Sequence, residues 1–527
     1  MGSGKSRFMQ TWRLFSVTEK RNIIIYIIGL MLYKFGLEAF NGSIVTLATN
    51  RYDEDALRRG ISSNAFERVG LLSGLNQAFQ CIGSILVAPF TRRWSTRTVV
   101  SISIFCFALF SSILLILDAA TGGHIKPLNF VPTHNATYSY YGKYNTNGII
   151  PIYCITGITY GMVELIRRVI PRDIVGDNGN KLQKMNALVH IFYEITGVSG
   201  AFATGLGLIP RLGNNYAFIV TPICFTAAAI IWLLINSSEL SKNDPDSDIM
   251  LANESNYFKS VLQGFFIFGQ SIFIGAKIIF AHRKFIWLWT CYTLTLYAHR
   301  YIENGTAPQI AKRYLGQSEW SQIIVGGSNL GELLGALFIF CVGTYIKTPL
   351  PWSRLDALML LIVWYIPYYY PPMNNATYAW IVTATYLPIG FASATNDIAL
   401  NSFIQSSLSG LESKHKNISV LSAVAAFLYS SYIIIYAILN PLLGKHLDSV
   451  YTSTGTIRPA FLNTVAIQMT LISVLVIAST FIPKGSFAFN PKFIHGDNSK
   501  PTSNSATNDN SKIAEEKDTG SDLITRF

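Results

Sequence analysis

The sequence predicts an all-α membrane protein with twelve transmembrane helices in two six-helix bundles. Composition, the length of the apolar runs and the placement of basic residues support this prediction. Of the 527 residues, 50% are hydrophobic and 13% are charged, whereas soluble domains carry about 25% charged residues. Long runs of Ile, Leu, Phe, Tyr and Ala replace the missing charge. The chain therefore lacks the polar surface that several soluble domains would need.

A helix needs about 20 mostly apolar residues to cross the ~30 Å hydrocarbon core of a bilayer. Twelve runs of the sequence are candidates for such spans. They cover residues 22–48, 67–91, 98–120, 148–169, 185–209, 216–236, 285–309, 320–346, 355–371, 378–408, 417–443 and 460–482. The first run is too long for the apolar core of a signal peptide, so we expect no cleaved signal.

These runs divide the chain into five parts. Residues 1–21 form an N-terminal tail, residues 22–236 the first bundle, and residues 237–284 a central loop. Residues 285–482 form the second bundle, and residues 483–527 a C-terminal tail. This last part is rich in Ser, Asn, Asp and Lys beyond residue 495, a composition that predicts disorder.

The segment 257–280 leaves the span count open. It is rich in Phe and Ile, but Lys259, Gln263, Gln270 and Lys277 interrupt it. A thirteenth span here would invert the direction of every later helix. We favour a helix that lies in the membrane interface, or an extension of the seventh run.

Basic residues predict the orientation, because cytoplasmic loops carry an excess of Lys and Arg. The N-terminal tail has five basic residues, the loop after the second run has Arg92, Arg93 and Arg97, and more follow the fourth run. With twelve spans, all of these lie on one side together with both termini. The net charge of +12 thus fits loops beside an anionic leaflet, and we do not expect nucleic-acid binding.

Two glycosylation sequons fall in loops predicted to face outward, and they begin at Asn135 and Asn375. The sequon at Asn417 falls on the predicted cytoplasmic side. The first two support the orientation without deciding it. Both a plasma membrane and a vacuolar membrane fit this pattern.

Short matches between the two halves indicate a parallel 6 + 6 repeat. Glu38 precedes Asn41-Gly42-Ser43 in the first run, and Glu303 precedes Asn304-Gly305-Thr306 in the seventh. Trp-Ser follows the second and eighth runs, and Asn-Ala-Thr-Tyr follows the third and ninth. A repeat of this kind places a substrate site between the halves near the membrane midplane.

With these features the sequence resembles the major facilitator superfamily. The family motif Gly-x-Leu-Ala-Asp-Arg-x-Gly-Arg-Arg corresponds to residues 88–97, which keep the basic positions. Arg92 and Ser95 replace the acidic residue and the second glycine. The resemblance assigns Arg92, Arg93 and Arg97 to a cytoplasmic gate loop, and the departures put the usual charge relay in doubt. Residues 331–335 and 349–356 resemble a fungal branch of facilitator-like proteins.

Ionisable residues inside membrane spans are costly and usually face a partner or a pathway. In the resembled family, helices one, four, seven and ten line the cavity. Burial favours the neutral form of a carboxyl group, as a proton carrier requires. The candidates for a substrate or proton pathway are Glu38, Asn41, Glu164, Arg168, His190, Glu194, Arg300, Glu303, Asn304 and Asp397.

Structural interpretations compete with these assignments. Lys34 and Glu38 have i, i+4 spacing and could form only an internal ion pair. Arg167, Arg168 and Arg172 could mark the cytoplasmic edge, and we favour this for Arg167 and Arg172. Asn41 and Asn304 each precede a glycine, and such a step either exposes carbonyl groups to cargo or only bends the helix.

The leading hypothesis is a secondary active transporter of a small polar or charged solute, with protons as a candidate coupling ion. The alternative is a non-transporting nutrient sensor or scaffold on the same fold, although short tails disfavour it. Hydrolase and metalloenzyme motifs are missing, so we do not expect an enzyme. The six cysteines form no CxxC pair. We expect no metal or other cofactor, a monomer, and only solute, protons and lipid as partners.

Overall fold

The computed structural model describes residues 12, 14–128, 130, 138–176, 179–236, 257–342, 346, 348–408, 420–483 and 485–487. These residues form helices and short connections, with no β-strand among them. Of the predicted tails, residues 1–11, 13, 484 and 488–527 lie outside the described residues, as do residues 237–256 of the central loop and Asn135.

The described chain forms twelve long helices and one further helix in the central loop. We number them in chain order: α1 Val17–Arg59, α2 Ala65–Arg93, α3 Thr96–Ala120, α4 Ile149–Val175, α5 179–212, α6 Ala217–Leu233, α7 Tyr257–Ala281, α8 286–314, α9 Ser321–Val342, α10 350–368, α11 Ala376–Leu408, α12 Val420–Thr454 and α13 Arg458–Ser479.

Local chemistry sets the ends of α1. The hydroxyl of Ser16 accepts the amide of Glu19, and the Glu19 carboxylate accepts the amide of Ser16 at 2.6 Å. This capping box satisfies two donors at the helix start. Gly60 ends the helix with φ 64°, where a residue without Cβ is favoured. The 43-residue helix extends well beyond the predicted run 22–48 at its far end.

Three helices contain π-helical turns, and α8 contains three of them: Trp289–Leu294, Ile302–Thr306 and Ile310–Tyr314. The second turn includes Glu303, Asn304 and Gly305, so a π turn lies at this repeat position. The equivalent Asn41–Gly42 step is different, because α1 is a regular α-helix there. Isolated π turns are frequent at functional sites.

The ends of the helices meet at two opposite faces. At the terminal face, where α1 begins, Asn22 bonds to Asn236 beyond α6, and Arg283 before α8 bonds to Ile482 beyond α13. At the distal face, where α1 ends, the Lys312 amine near the end of α8 donates to Asn50 at 3.0 Å. Helices α1 and α8 therefore run in the same direction, as a parallel repeat requires.

This direction decides the role of α7. By length and composition, α7 is one of eight helices that could cross a membrane, and α5 with α6 adds a strongly bent pair. If α7 crossed, α8 would run opposite to α1 and Lys312 would lie at the terminal face. The structure therefore has twelve spans plus α7. Residues 282–285 separate α7 from α8, so it is not an extension of the seventh run.

Two clusters of buried apolar side chains form the interior. One is built from residues 15–235, and the other from residues 279–476 with Phe66 added. This separation supports two six-helix bundles, while the exact domain boundaries stay a prediction. Across the seam between the bundles, α2 packs on α12 and α5 packs on α9.

Glycines allow the closest helix crossings. A Cβ at Gly83 of α2 would lie 1.9 Å from the Ile158 carbonyl oxygen of α4, and a Cβ at Gly161 would lie 2.0 Å from the Gln80 carbonyl oxygen. Small residues let membrane helices approach closely, which increases their van der Waals contact. In α5, Gly200 likewise lies against Glu38 of α1, whereas nothing lies within 4 Å of the Cβ position of Gly207.

We predict that Gly83→Ala destabilises the first bundle by about 1–3 kcal/mol, because the added methyl group forces α2 and α4 apart. Gly207→Ala is the matched control, since nothing lies within 4 Å of its Cβ position. Thermal unfolding of both purified variants in detergent measures the effect. Equal midpoints for the two variants would refute the close crossing.

Candidate functional site

Eight charged side chains meet near the middle of the helices, and we call them the central charge cluster. Five come from the first bundle and three from the second. They are Lys34, Glu38, Glu164, Arg167, Glu194, Arg300, Glu303 and Glu332. A charge inside a bilayer is costly, and ionisable residues there usually serve a function. The convergence of eight such residues makes this cluster the candidate functional site.

Two ion pairs anchor the first-bundle half of the cluster. The Lys34 amine lies 2.5 Å from Glu38 on the same face of α1, as the i, i+4 spacing predicts. On α4, Arg167 contacts Glu164 at 2.5 Å. Tyr33 of α1 also donates to Glu164 at 2.9 Å, so that carboxylate joins α1 to α4.

The position of Arg167 differs from the predicted one at the cytoplasmic edge of the membrane. Its guanidinium lies inside the bundle against the ring of Tyr193, 4.4 Å from the ring centroid. Tyr26 of α1 donates to the Arg167 backbone carbonyl at 2.6 Å. Arg172 is exposed, and Arg168 is also exposed and does not take the buried position. The inward-facing arginine of this pair is therefore Arg167.

The second-bundle half is built around the π turn of α8. The Arg300 guanidinium lies 3.2 Å from Glu303, and Ser328 of α9 donates to the same carboxylate at 2.6 Å. The Arg300 side chain keeps 46% of its surface exposed although it lies in mid-helix. One face of this pair is therefore accessible from the space between the bundles.

The two halves of the cluster face each other across the seam. Glu194 of α5 lies within electrostatic range of Arg300, and Glu332 of α9 lies within range of Lys34 and Glu194. The Lys34 amine and the Asn329 amide both lie within 4 Å of the Cβ position of Gly197. Glycine at this position leaves room for both side chains.

Negative charge is in excess within the cluster. Five carboxylates face three cations, and the three short ion pairs use Glu38, Glu164 and Glu303. Among the described residues, no Lys or Arg nitrogen lies within 4 Å of Glu194 or Glu332, and His190 is 3.8 Å from Glu194. Such carboxylates are suited to take up a proton or a cationic group.

Glu332 was not among the pathway residues expected from the sequence. Its signal was that of an ionisable residue inside the apolar eighth run, between Gly331 and Gly335. The structure explains its position, because a Cβ at Gly331 or Gly335 would collide with the backbone of α11. Close packing of α9 on α11 directs the intervening Glu332 toward the seam.

A second group, the terminal-side group, lies between the cluster and the terminal face. It consists of Arg168, His190 and Asp397. Asp397 lies within electrostatic range of the other two, which belong to the opposite bundle. Arg168 and Asp397 are exposed, and the His190 side chain is 42% exposed. The terminal side of the seam is therefore open to water, and within the described part of the chain no ion pair or hydrogen bond joins these three groups.

The distal side of the seam is closed by contacts that we call the distal seal. Arg313 of α8 pairs with Asp53 of α1 at 2.7 Å, and both side chains are largely buried. Lys312 donates to Tyr138 at 2.6 Å, and Asn50 donates to Ser318 at 3.0 Å.

Asp448 adds a helix cap to the distal seal. This α12 carboxylate accepts the backbone amides of Phe66 and Glu67 at 3.3 and 2.8 Å. Those amides begin α2 in the other bundle, where the N-cap residue Asn64 makes no side-chain bond. A carboxylate at a helix N-terminus is favoured by the helix dipole. The cap therefore holds the bundles together on the distal side.

The remaining sequence candidates lie outside the cluster. Asn41 accepts a long 3.4 Å bond from Tyr153, and Asn304 borders a small space between α1, α2 and α12. Arg97, in the first turn of α3, donates to the Ile235 carbonyl just beyond α6 at 2.8 Å. Arg92 and Arg93 end α2, and their side chains lie outside the described set. The exposed sequon residue Asn375 lies at the distal face.

A separate buried network lies in the second bundle. His299 of α8 contacts Asp356 of α10 at 2.7 Å, and Asn396 of α11 donates to the same carboxylate at 2.9 Å. Ser353 donates to Asn396 at 2.8 Å. These bonds satisfy one another within one bundle, so the network positions α10 and does not face the seam. The described residues contain no group of three His, Cys, Asp or Glu side chains arranged for a metal ion.

Three solved structures that share this fold are transporters. The nucleoside transporter NupG has a TM-score of 0.55 and 14% identity, over 86% of this chain and 99% of its own. A D-xylose-proton symporter has a TM-score of 0.55 and 13% identity, over 89% and 97%. A peptide transporter has a TM-score of 0.53 and 11% identity, over 87% and 94%. At these identities the likeness shows the fold alone.

The sequence comparison agrees with the fold. No curated protein matches the sequence. Residues 21–434, however, match the Major Facilitator Superfamily as a family. The match begins at the start of α1 and ends within α12, so it includes both halves of the central charge cluster. The chain is an integral multi-pass membrane transporter, not an enzyme, and it belongs to the major facilitator superfamily.

Proposed function

We propose that this facilitator moves a small polar or charged solute by alternating access and couples the movement to protons. The supporting observation is the excess of carboxylates where the bundles meet. Glu194 and Glu332 come from opposite halves and lack a short contact to Lys or Arg among the described residues. A proton or a cationic group of the solute would offset this excess charge.

The remaining cluster residues have supporting roles in the proposal. Lys34 and Arg300 attract anionic groups, since each is paired with a carboxylate but faces the seam. Glu38 and Glu303 hold these cations in place through the 2.5 and 3.2 Å contacts. Glu164 is fixed by Arg167 and Tyr33, so it acts as a rigid counter-charge. The terminal-side group guides charged solute toward the cluster.

The proposed orientation places the terminal face in the cytoplasm. The basic N-terminal tail and the loop after α2 support this orientation. The distal face then carries the Asn375 sequon and faces the exterior or an organelle lumen. In this arrangement the described conformation is open toward the cytoplasm and closed on the other side. The proposal allows a plasma or vacuolar membrane.

Alternating access requires the distal seal to open, and its chemistry permits this. The seal consists of the Arg313–Asp53 pair, a 3.9 Å pair between Lys126 and Glu319, one helix cap and a few hydrogen bonds. Water can replace all of these contacts when the bundles rock apart. The Glu194 and Glu332 carboxylates would then face the distal side. The same residues thus exchange protons with each side in turn.

We predict that Glu332→Gln reduces uptake driven by a pH gradient by about tenfold or more, within the usual range of coupling energies. Solute exchange without a gradient should persist, because the neutral variant mimics the protonated state. Proteoliposomes tested with panels of nucleosides, pentoses, amino acids and dipeptides provide the measurement. Asp55→Asn is the control, since Asp55 pairs with Arg58 and Arg59 of its own helix, at the distal end of α1.

Two outcomes would contradict this proposal. Unchanged gradient-driven uptake by Glu332→Gln and by Glu194→Gln would remove both residues from the coupling. Binding of a solute without flux in any wild-type preparation would favour the alternative, a nutrient sensor on the same fold.

We also predict that Asp53→Asn shifts the protein toward a distal-open state. The change leaves Arg313 without its counter-charge in the sealed state, and an unpaired buried charge costs about 3–5 kcal/mol. Opening restores hydration of the guanidinium. Spin labels at Leu57→Cys and Ser453→Cys, both exposed at the distal face, report the distance between bundles. A longer-distance population is expected in Asp53→Asn and not in Asp55→Asn. An unchanged distance distribution in both variants would exclude a role for this pair in closure.

A further inference from the structure

Helix α7 lies across the seam between the bundles at the terminal face. Its level can be measured against α2 and α12, which run antiparallel. Gly70 lies against Asn440 and Gly74 against Ala437, so Ile85 is level with about residue 426 of α12. This pairing provides a ruler along the membrane normal.

Three contacts place α7 on that ruler. The Cβ position of Gly264 lies 3.8 Å from Ile85, and that of Gly275 lies 2.2 Å from the Ala423 carbonyl oxygen. The ring of Phe280 lies 5.7 Å from that of Phe427. The stretch of α7 from Gly264 to Phe280 is about 24 Å long, yet it stays within about 6 Å of one level along the membrane normal. The helix crosses α2 and α12 instead of running beside them.

The side chains of α7 form three stripes. The stripe against the bundles contains the small residues Gly264, Ser271 and Gly275. A second stripe is apolar and exposed, and it contains Leu262, Phe266, Phe273 and Phe280. A third contains Lys259, Gln263, Gln270 and Lys277, which lie within about 40° of one another on the helix. All four of these polar residues are exposed.

This pattern matches a helix at the boundary of a bilayer, with one stripe in hydrocarbon and one among headgroups. The headgroups that fit are anionic. No acidic residue occurs between Tyr257 and Ile302, whereas Lys259, Lys277, Arg283 and Lys284 lie in or just after the helix. Basic residues near an anionic membrane surface are attracted to it electrostatically.

We propose that α7 binds anionic phospholipid headgroups at the terminal face and, so anchored, clamps α2 to α12 in the distal-closed arrangement. The helix contacts both bundles, at Ile85 of α2 and at Ala423 of α12. Rocking of the bundles changes the distance between these two contact points, so α7 cannot keep both contacts in the distal-open state. Anionic lipid that holds α7 in place then stabilises the conformation described above.

This inference rests on the proposed rocking of the bundles, but its test needs no transported solute. Purified protein is placed in nanodiscs of phosphatidylcholine with or without phosphatidylglycerol. For the wild type, phosphatidylglycerol should raise the unfolding midpoint by several degrees and reduce the long-distance population of the Leu57→Cys, Ser453→Cys spin-label pair. Native mass spectrometry should show retained phosphatidylglycerol.

Two pairs of variants separate the clamp from general effects. Lys259→Gln with Lys277→Gln should lose most of the phosphatidylglycerol response, whereas Lys143→Gln with Lys445→Gln at the distal face should keep it. Gly275→Leu pushes α7 off Ala423 and should lose the spin-label response. Gly269→Leu is the control, because nothing lies within 4 Å of its Cβ position.

Three outcomes would each overturn a part of the proposal. A wild-type response to phosphatidylglycerol in the variant that combines Lys259→Gln with Lys277→Gln would overturn the lipid site. Loss of lipid binding without any change in the spin-label distances would overturn the clamp. Equal behaviour of Gly275→Leu and Gly269→Leu would show that the contact with α12 is irrelevant. None of these results depends on Glu332 or on proton coupling.

Discussion

The cost of placing charge in a low-dielectric membrane interior governs the middle of this protein. Eight ionisable side chains lie there, and each must be paired, hydrogen-bonded or neutralised to persist. Three pairs solve the problem within single helices, at Lys34–Glu38, Arg167–Glu164 and Arg300–Glu303. Glu194 and Glu332 remain, one from each bundle. The surrounding helices place these two carboxylates within electrostatic range of each other across the seam between the bundles.

The same constraint explains the contrast between the two ends of the seam. The distal end contains an ion pair and a helix cap that join the bundles and bury their charges. The terminal end contains Arg168, His190 and Asp397, whose charges are hydrated and need no short contact. Charges at the end of the seam can thus be stabilised in two ways, by pairing across the closed seam or by water in the open seam. A transporter that alternates between them exchanges water for contacts on one side at a time.

Much of the fold could be predicted from the sequence, because span length and loop charge are local properties. The twelve runs, the parallel repeat and the Lys34–Glu38 pair follow from spacing alone. The sequence favours an interfacial position for α7 without deciding it, since the length and composition of this helix also suit a span. The direction of α8 and the crossing of α2 and α12 by α7 support the interfacial position. The packing partner of a helix is a tertiary property that local periodicity does not contain.

The site was less predictable, for a geometric reason. Adjacent residues on a helix point about 100° apart, so Arg167 faces the cluster while Arg168 faces water. Sequence proximity to Glu164 could not separate them. Glu332 was missed because its direction depends on how closely α9 packs on α11. The shared Asn-Gly steps were correct as a repeat signal, but only the one in α8 lies in a π turn.

The central claim is that Glu194 and Glu332 hold exchangeable protons where the bundles meet. Infrared difference spectroscopy of the purified protein after a pH step tests it directly. We expect a carboxyl band in the wild type that weakens in Glu332→Gln, weakens further in the variant that combines Glu332→Gln with Glu194→Gln, and keeps its intensity in Glu164→Gln. A band of wild-type intensity in the combined variant, or an equal loss with Glu164→Gln alone, would contradict the account.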